Sequence, residues 1–172
     1  ADGIVGQKTW EALMPYMRGY VIYKVRPGDT FYLLANEYGT SVQAIIEANP
    51  EVDLLNIPVG TLLTIPVASN TVPTDVSYCY DILKFNLESL KVRYPFLEIS
   101  SAGNSLMGKD LFYVKLGNGP KEVFYNGAHH ANEWITSVVL MKYIEQYCNA
   151  FVNNSSVGGE SVQRLFEQCS IY

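Results

Sequence analysis

The sequence predicts a multidomain α/β chain, and three observations carry that expectation. Residues 20–67 read as strand, helix, helix, strand. Residues 68–76, "ASNTVPTDV", are small, polar and Pro-containing, as a linker would be. From Ser77 a second alternation begins, with a helix, several strands and a long helix. The totals agree: 172 residues suit one or two domains, and 48% hydrophobic with 17% charged residues is a globular profile. With a net charge of −5 and no Lys/Arg-rich run, phosphate-driven nucleic-acid binding is not expected. No apolar run reaches the roughly 18 residues of a membrane span. Cys79, Cys148 and Cys169 are scattered without a C-x-x-C pair, so they are expected to be partly buried free thiols, neither a disulfide framework nor a thiolate metal site.

The first 17 residues are expected to be helical, with Trp10, Leu13 and Met14 at helical spacing. The next unit opens on "YVIYKV", β-branched and aromatic, a strand. Pro27-Gly28-Asp29 breaks it, and Asp29 or Thr30 can cap the helix "TFYLLANEYG", which Gly39 ends. Ser41 caps a second helix that stops at Asn49-Pro50. "TLLTIP" is the closing strand. The stretches "YKVRPGDTFYLLANEYGTSVQAIIEANP" and "NIPVGTLLTIP" make this βααβ unit, residues 20–67, resemble a LysM module.

That resemblance implies binding of N-acetylglucosamine-containing glycan, either peptidoglycan or chitin, in a shallow groove. One wall would be Gly28, Asp29, Thr30 and Phe31, the other Leu55, Asn56, Ile57 and Pro58. Gly28 and Asp29 read as turn residues first, and Phe31 reads equally as core. Lys24 and Arg26 stand against Asp29, Glu37, Glu47, Glu51 and Asp53, which suits a neutral sugar better than an anionic polymer. Upstream, "DGIVGQKTWEAL" is similar to the last helical repeat of a small peptidoglycan-binding domain, so residues 1–19 are expected to be its remnant, packed on a neighbour or frayed.

In residues 77–172 the pattern is a helix ending at Pro95, a strand "LEISSAG", and the strands "DLFYVKLG" and "KEVFYNG" joined through Asn118-Gly119. Asn-Gly is a hairpin signal, so those two strands are expected to pair antiparallel. A long amphipathic helix follows "GAHHANEWIT", and the chain closes with a helix over 159–169 and a strand start at 170–172. "GAHHANEWIT" lies where a strand ends and a helix begins, the place where ligands bind in open α/β sheets. His130 and Glu133, three residues apart, would share a face of the first helical turn, and imidazole and carboxylate are both zinc ligands. Alone, H-x-x-E is short enough to arise by chance, and exposed loop histidines are the commoner reading of it.

The longer run "SSAGNSLMGKDLFYVKLG … KEVFYNGAHHANEWIT" resembles the N-terminal part of the zinc carboxypeptidase family. The resemblance implies an incomplete mixed-sheet α/β fold over 77–172, one Zn2+, His130 and Glu133 as metal ligands, and His129 as a bystander. It also places Asn132 where digestive members carry a substrate-holding Arg. That departure, with LysM upstream, points to the bacterial branch that cuts γ-D-glutamyl-diamino-acid bonds of cell-wall peptides. Asn132 is then a substrate-binding residue, the partners are a peptide substrate and peptidoglycan, and the location is extracellular, at a bacterial cell wall or spore.

The third ligand, the general base and the substrate-binding arginine and tyrosine would fall beyond Tyr172. The chain is therefore expected to be a fragment, inactive by itself and with weak zinc affinity. Alternatives are a non-catalytic glycan-binding protein built on the same fold, and a chitin-directed binder.

Overall fold

The computed structural model describes residues 4–53, 56–67 and 70–172. It begins with helix α1 (Gln7–Arg18), which ends on Gly19 in the left-handed conformation. This helix has no buried residue, and it lies beside the first strand and the first helix of the C-terminal half, so its apolar side chains pack only partly.

The βααβ unit forms as its sequence pattern requires. Strand β1 (Tyr20–Lys24) pairs antiparallel with β2 (Leu62–Pro66), Tyr20 opposite Pro66 and Lys24 opposite Leu62. Between them run α2 (Phe31–Tyr38) and α3 (Val42–Ala48). Thr30 caps α2, its Oγ1 accepting from Leu33 N–H at 3.2 Å, and Ser41 caps α3 in the same way at 3.0 Å. One face of the strand pair closes the core with Val25, Phe31, Leu34, Ile45, Leu63 and Ile65. Asn49 stitches α3 to β2: its Nδ2 donates to Ile45 O and Thr64 O, and its Oδ1 accepts from Thr64 N–H.

The C-terminal half packs α4 (Tyr80–Arg93) and α5 (Ile135–Val152) around a second core that includes Leu87, Leu90, Leu97, Met141, Tyr147 and Val162. Strand β3 (Glu98–Asn104) pairs antiparallel with β4 (Asp110–Lys115) through a bulge between Ser101 and Asn104. After β5 (Lys121–Val123) and α5, a two-strand turn of β6 (Ser156–Val157) and β7 (Glu160–Ser161) leads into α6 (Val162–Gln168) and β8 (Cys169–Ile171). Phe96, Phe151 and Phe166 stack mutually, with ring centroids 4.5–5.9 Å apart, and tie α5 to α6.

The expected hairpin through Asn118-Gly119 does not form. β8 pairs parallel with β5, Val123 opposite Ile171, and Ile171 also bridges antiparallel to Leu116. β8 thus forms a two-stranded parallel sheet with β5 and touches the chain just after β4 through a single bridge at Leu116. The loop's polar groups bond to the chain that passes through: Asn118 N–H donates to Phe166 O, and Gly119 N–H to Cys169 O. The glycines are required by this passage. A Cβ on Gly119 would stand 2.0 Å from the Gln168 carbonyl carbon, and one on Gly117 2.2 Å from Cys169 O.

The thiols are free, but only Cys148 is buried; Cys79 is exposed ahead of α4 and Cys169 lies between these extremes. No helix among the described residues is long and apolar enough to cross a membrane.

Candidate functional site

Residues 124–134 connect β5 to α5. The segment leaves the sheet after Tyr172 N–H donates to Val123 O and Tyr125 N–H to Tyr172 O. Gly127 then lies directly against the start of α5, where a Cβ would come within 3.0 Å of Leu140 Cδ1 and 3.1 Å of Ser137 N. Ala128 takes a left-handed conformation (φ 53°), which reverses the chain.

His130 and Glu133 lie in the turn that follows, not on the first turn of the helix, which begins at Ile135. Their pairing survives that correction. Glu133 N–H donates to His130 O at 3.1 Å, so the turn itself brings the side chains to one side. His130 Nδ1 and Glu133 Oε1 stand 3.1 Å apart. Thr136 locks the arrangement: its Oγ1 accepts from Ala128 N–H at 2.6 Å and donates to Glu133 O at 2.7 Å. Thr136 had no role assigned from sequence. The available signal was a hydroxyl three residues after Glu133, within reach of the backbone carbonyl one turn back.

Both side chains are open to solvent, 74% and 52% exposed. Two ligands of a tetrahedral zinc, each about 2.1 Å from the metal, stand roughly 3.4 Å apart, so the imidazole–carboxylate spacing suits a shared ion. Among the described residues no group of three or more His, Cys, Asp or Glu side chains could hold a metal. The donor set therefore fits two positions of a zinc site. His129 stacks edge-on to His130, ring centroids 5.0 Å apart, and has no carboxylate partner among the described residues. Asn132 is exposed in the same turn.

At the other candidate site, the 26–30 loop and the 56–61 loop leave the βααβ unit together, because Val25 N–H donates to Thr61 O and Gly60 N–H to Val25 O. Gly28 has φ 89°, which a glycine adopts without strain. Asp29 Oδ2 accepts from Tyr23 OH and from Arg26 N–H, each at 2.7 Å. The Arg26 amide, then the Tyr23 hydroxyl, hold the Asp29 carboxyl below its usual range. Thr30 is occupied as a cap, and Phe31, at 8% exposure, belongs to the core. Asn56 and Pro58 are exposed and Ile57 packs partly on the core, while Leu55 lies outside the described residues. Tyr32, Leu33 and Val59, exposed apolar residues that border the two loops in sequence, were not singled out beforehand. Helical periodicity assigns Tyr32 and Leu33 to α2 without saying which side chain is left outside.

Residues 84–172 match the sequence model of the zinc carboxypeptidase family, and residues 23–66 that of the LysM domain. Over 95 residues the chain is 32% identical to the gamma-D-glutamyl-L-diamino acid endopeptidase 1 of Lysinibacillus sphaericus, covering 55% of this chain and 24% of that protein. Over 80 residues it is 36% identical to the uncharacterized protein YqgT of Bacillus subtilis (strain 168), covering 45% of this chain and 21% of that one. The aligned region thus spans about a quarter or less of these relatives' length. No solved structure matches.

Proposed function

The chain belongs to the zinc carboxypeptidase family, and from that premise we propose that it is the glycan-binding and metal-turn portion of a peptidase that hydrolyses γ-D-glutamyl-diamino-acid bonds in peptidoglycan stem peptides. At family level the LysM and zinc carboxypeptidase domains, with the endopeptidase relative, support a cell-wall-targeted peptidase. The observation that carries the metal-site reading is the 3.1 Å His130–Glu133 pair, on the turn that opens α5 and braced by Thr136; the bond specificity rests on the endopeptidase relative and on Asn132.

His130 and Glu133 would hold the zinc, presenting Nδ1 and Oε1 to it. A bound zinc supplies Lewis acidity and lowers the pKa of a coordinated water toward neutrality. Thr136 braces the backbone of the turn, bonding the Ala128 amide and the Glu133 carbonyl. Asn132 offers a neutral amide where a guanidinium would clamp a carboxylate, so it can hydrogen-bond a substrate peptide group but does not select for a terminal carboxylate. The loops around Gly28–Thr30 and Asn56–Pro58 would bind N-acetylglucosamine glycan through backbone groups and apolar side chains. On this reading the activity lies outside the cell, at the wall.

The full gene product loaded with zinc is expected to cleave soluble γ-D-glutamyl-diamino-acid peptides. His130→Ala should abolish the cleavage and His129→Ala should retain it. Equal cleavage of α-linked peptides at their C-terminal residue would contradict the substrate assignment. Asn56→Ala should weaken pull-down on peptidoglycan, and an unchanged pull-down would contradict the groove assignment. Retained pull-down without any hydrolysis would instead select a non-catalytic glycan-binding protein.

A further inference from the structure

The interior of the C-terminal half contains a charge that the catalytic reading does not use. Glu145 sits on α5 with its side chain fully buried, opposite Arg93 of α4, whose side chain is 1% exposed; Nη1 and Oε1 are 3.4 Å apart. A buried ion pair is stable only when its remaining hydrogen-bond capacity is filled. Much of it is filled from residues 70–72, in the segment expected to be a linker. Glu145 Oε1 accepts from Thr71 N–H at 2.5 Å and from Thr71 Oγ1 at 2.8 Å. Val72 N–H lies 3.4 Å from both carboxylate oxygens. Arg93 Nη1 donates in turn to Thr71 Oγ1 at 3.0 Å. Lys142 Nζ closes the cluster, donating to Glu145 Oε2 and to Asn70 Oδ1. The Val72 side chain is buried in the same core as Leu87, Leu90 and Tyr147.

The other end of this segment is fixed too. Val67 N–H donates to Gly19 O, and the Val67 side chain packs on the LysM core. Only residues 68 and 69 separate Val67 from Asn70, and at about 3.3–3.6 Å per residue they leave little reach. Beside this connection, Ala44 of α3 packs against the C-terminal core, and Ser41 Oγ reaches Asn153 Oδ1 at 3.5 Å.

We propose that residues 70–72 are a docking strap clamped by Glu145, Arg93 and Lys142, which fixes the LysM module rigidly to the peptidase half. The glycan loops and the metal turn then sit on one body. Under the function proposed above, on which only this consequence rests, a bound glycan strand presents its stem peptides at a set distance from the metal turn. A flexible tether would instead act through effective concentration alone.

The test uses the full 172-residue chain, without zinc, glycan or substrate, so its failure is separate from failure of the functional reading. Amide hydrogen exchange at Thr71 and Val72 is expected to be slowed on the order of a hundredfold or more relative to an unstructured chain. Backbone 15N relaxation should give one tumbling time for residues 20–67 and 77–172. Thr71→Val, which keeps the shape and removes the hydroxyl, should speed Val72 exchange roughly tenfold while leaving Leu63 and Ile65 unchanged. Unprotected Thr71 and Val72 amides in the unmodified chain, a distinctly faster-tumbling LysM module, or Val72 exchange unaffected by Thr71→Val would each overturn the proposal.

Discussion

The LysM module and the His130–Glu133 turn are built in opposite ways. In the module, the residues whose types look functional are already committed to structure: Asp29 closes a turn with Tyr23 and Arg26, Thr30 caps a helix, and Phe31 fills the core. In the 127–136 turn the framework is carried by Gly127, Ala128 and Thr136, while the His130 and Glu133 side chains project into solvent and bond to each other. The difference separates two kinds of substitution. Changes in the glycan loops should cost stability before they reveal a binding role. Changes to His130 and Glu133, the proposed metal donors, should cost binding with little effect on stability.

The seam between the two regions should give the largest effect. Glu145→Ala strands the buried Arg93 guanidinium and removes the acceptor for Thr71 and Val72, and should cost about 3–5 kcal/mol in chemical denaturation. It would fall far short of that if the strap were solvated. The same cluster sets an acid limit. Burial pushes the Glu145 carboxyl up, but the bonds from Lys142 and Thr71 outweigh it, and the net result is a lowered pKa. A lowered folded-state pKa stabilises the fold above the ordinary value of 4.5, and that contribution is lost as pH falls through the lower folded value. Exchange protection at Val72 should therefore hold at neutral pH and fail only once the pH has fallen below the ordinary carboxylate value.

Within the module, Thr30→Ala should cost about 1 kcal/mol as a lost helix cap, read as a lower melting temperature of the LysM core. In the turn, Thr136→Val should cost a similar or smaller amount, about 0.5–1.5 kcal/mol, and loosen Glu133, seen as faster exchange of the Ala128 amide. The smallest stability effect belongs to His130→Ala, within about 0.5 kcal/mol, because the ring is solvated. A large loss there would erase the contrast between the two regions.

What could be read in advance follows the range of the interactions. The βααβ unit was legible because its signals are local: Gly39 after α2, and Ser41 and Thr30 three residues before the amides they cap. The His130–Glu133 contact was legible from its spacing, three residues within one turn, whereas its reading as a metal pair came from the family resemblance. Interactions between distant segments were not. Asn118-Gly119 carries a hairpin signal, yet its partners are Phe166 and Cys169, and the inserted β8 decides the pairing. Residues 70–72 have linker composition, but their donors meet a carboxylate 73–74 positions away, on a helix face that periodicity marks only as inward. The helix start was misplaced because Ala128 adopts a conformation unusual for alanine, held by Thr136 and the tight Gly127 contact.

The central claim is that His130 and Glu133, with His129 excluded, form the metal-binding pair. Zinc titration of the 172-residue chain, followed by equilibrium dialysis and by the His129 and His130 ring resonances, tests it most directly. The expected result is weak binding that perturbs His130 most and is lost in both His130→Ala and Glu133→Ala but retained in His129→Ala. Tight one-to-one binding, or loss of binding in His129→Ala alone, would contradict it.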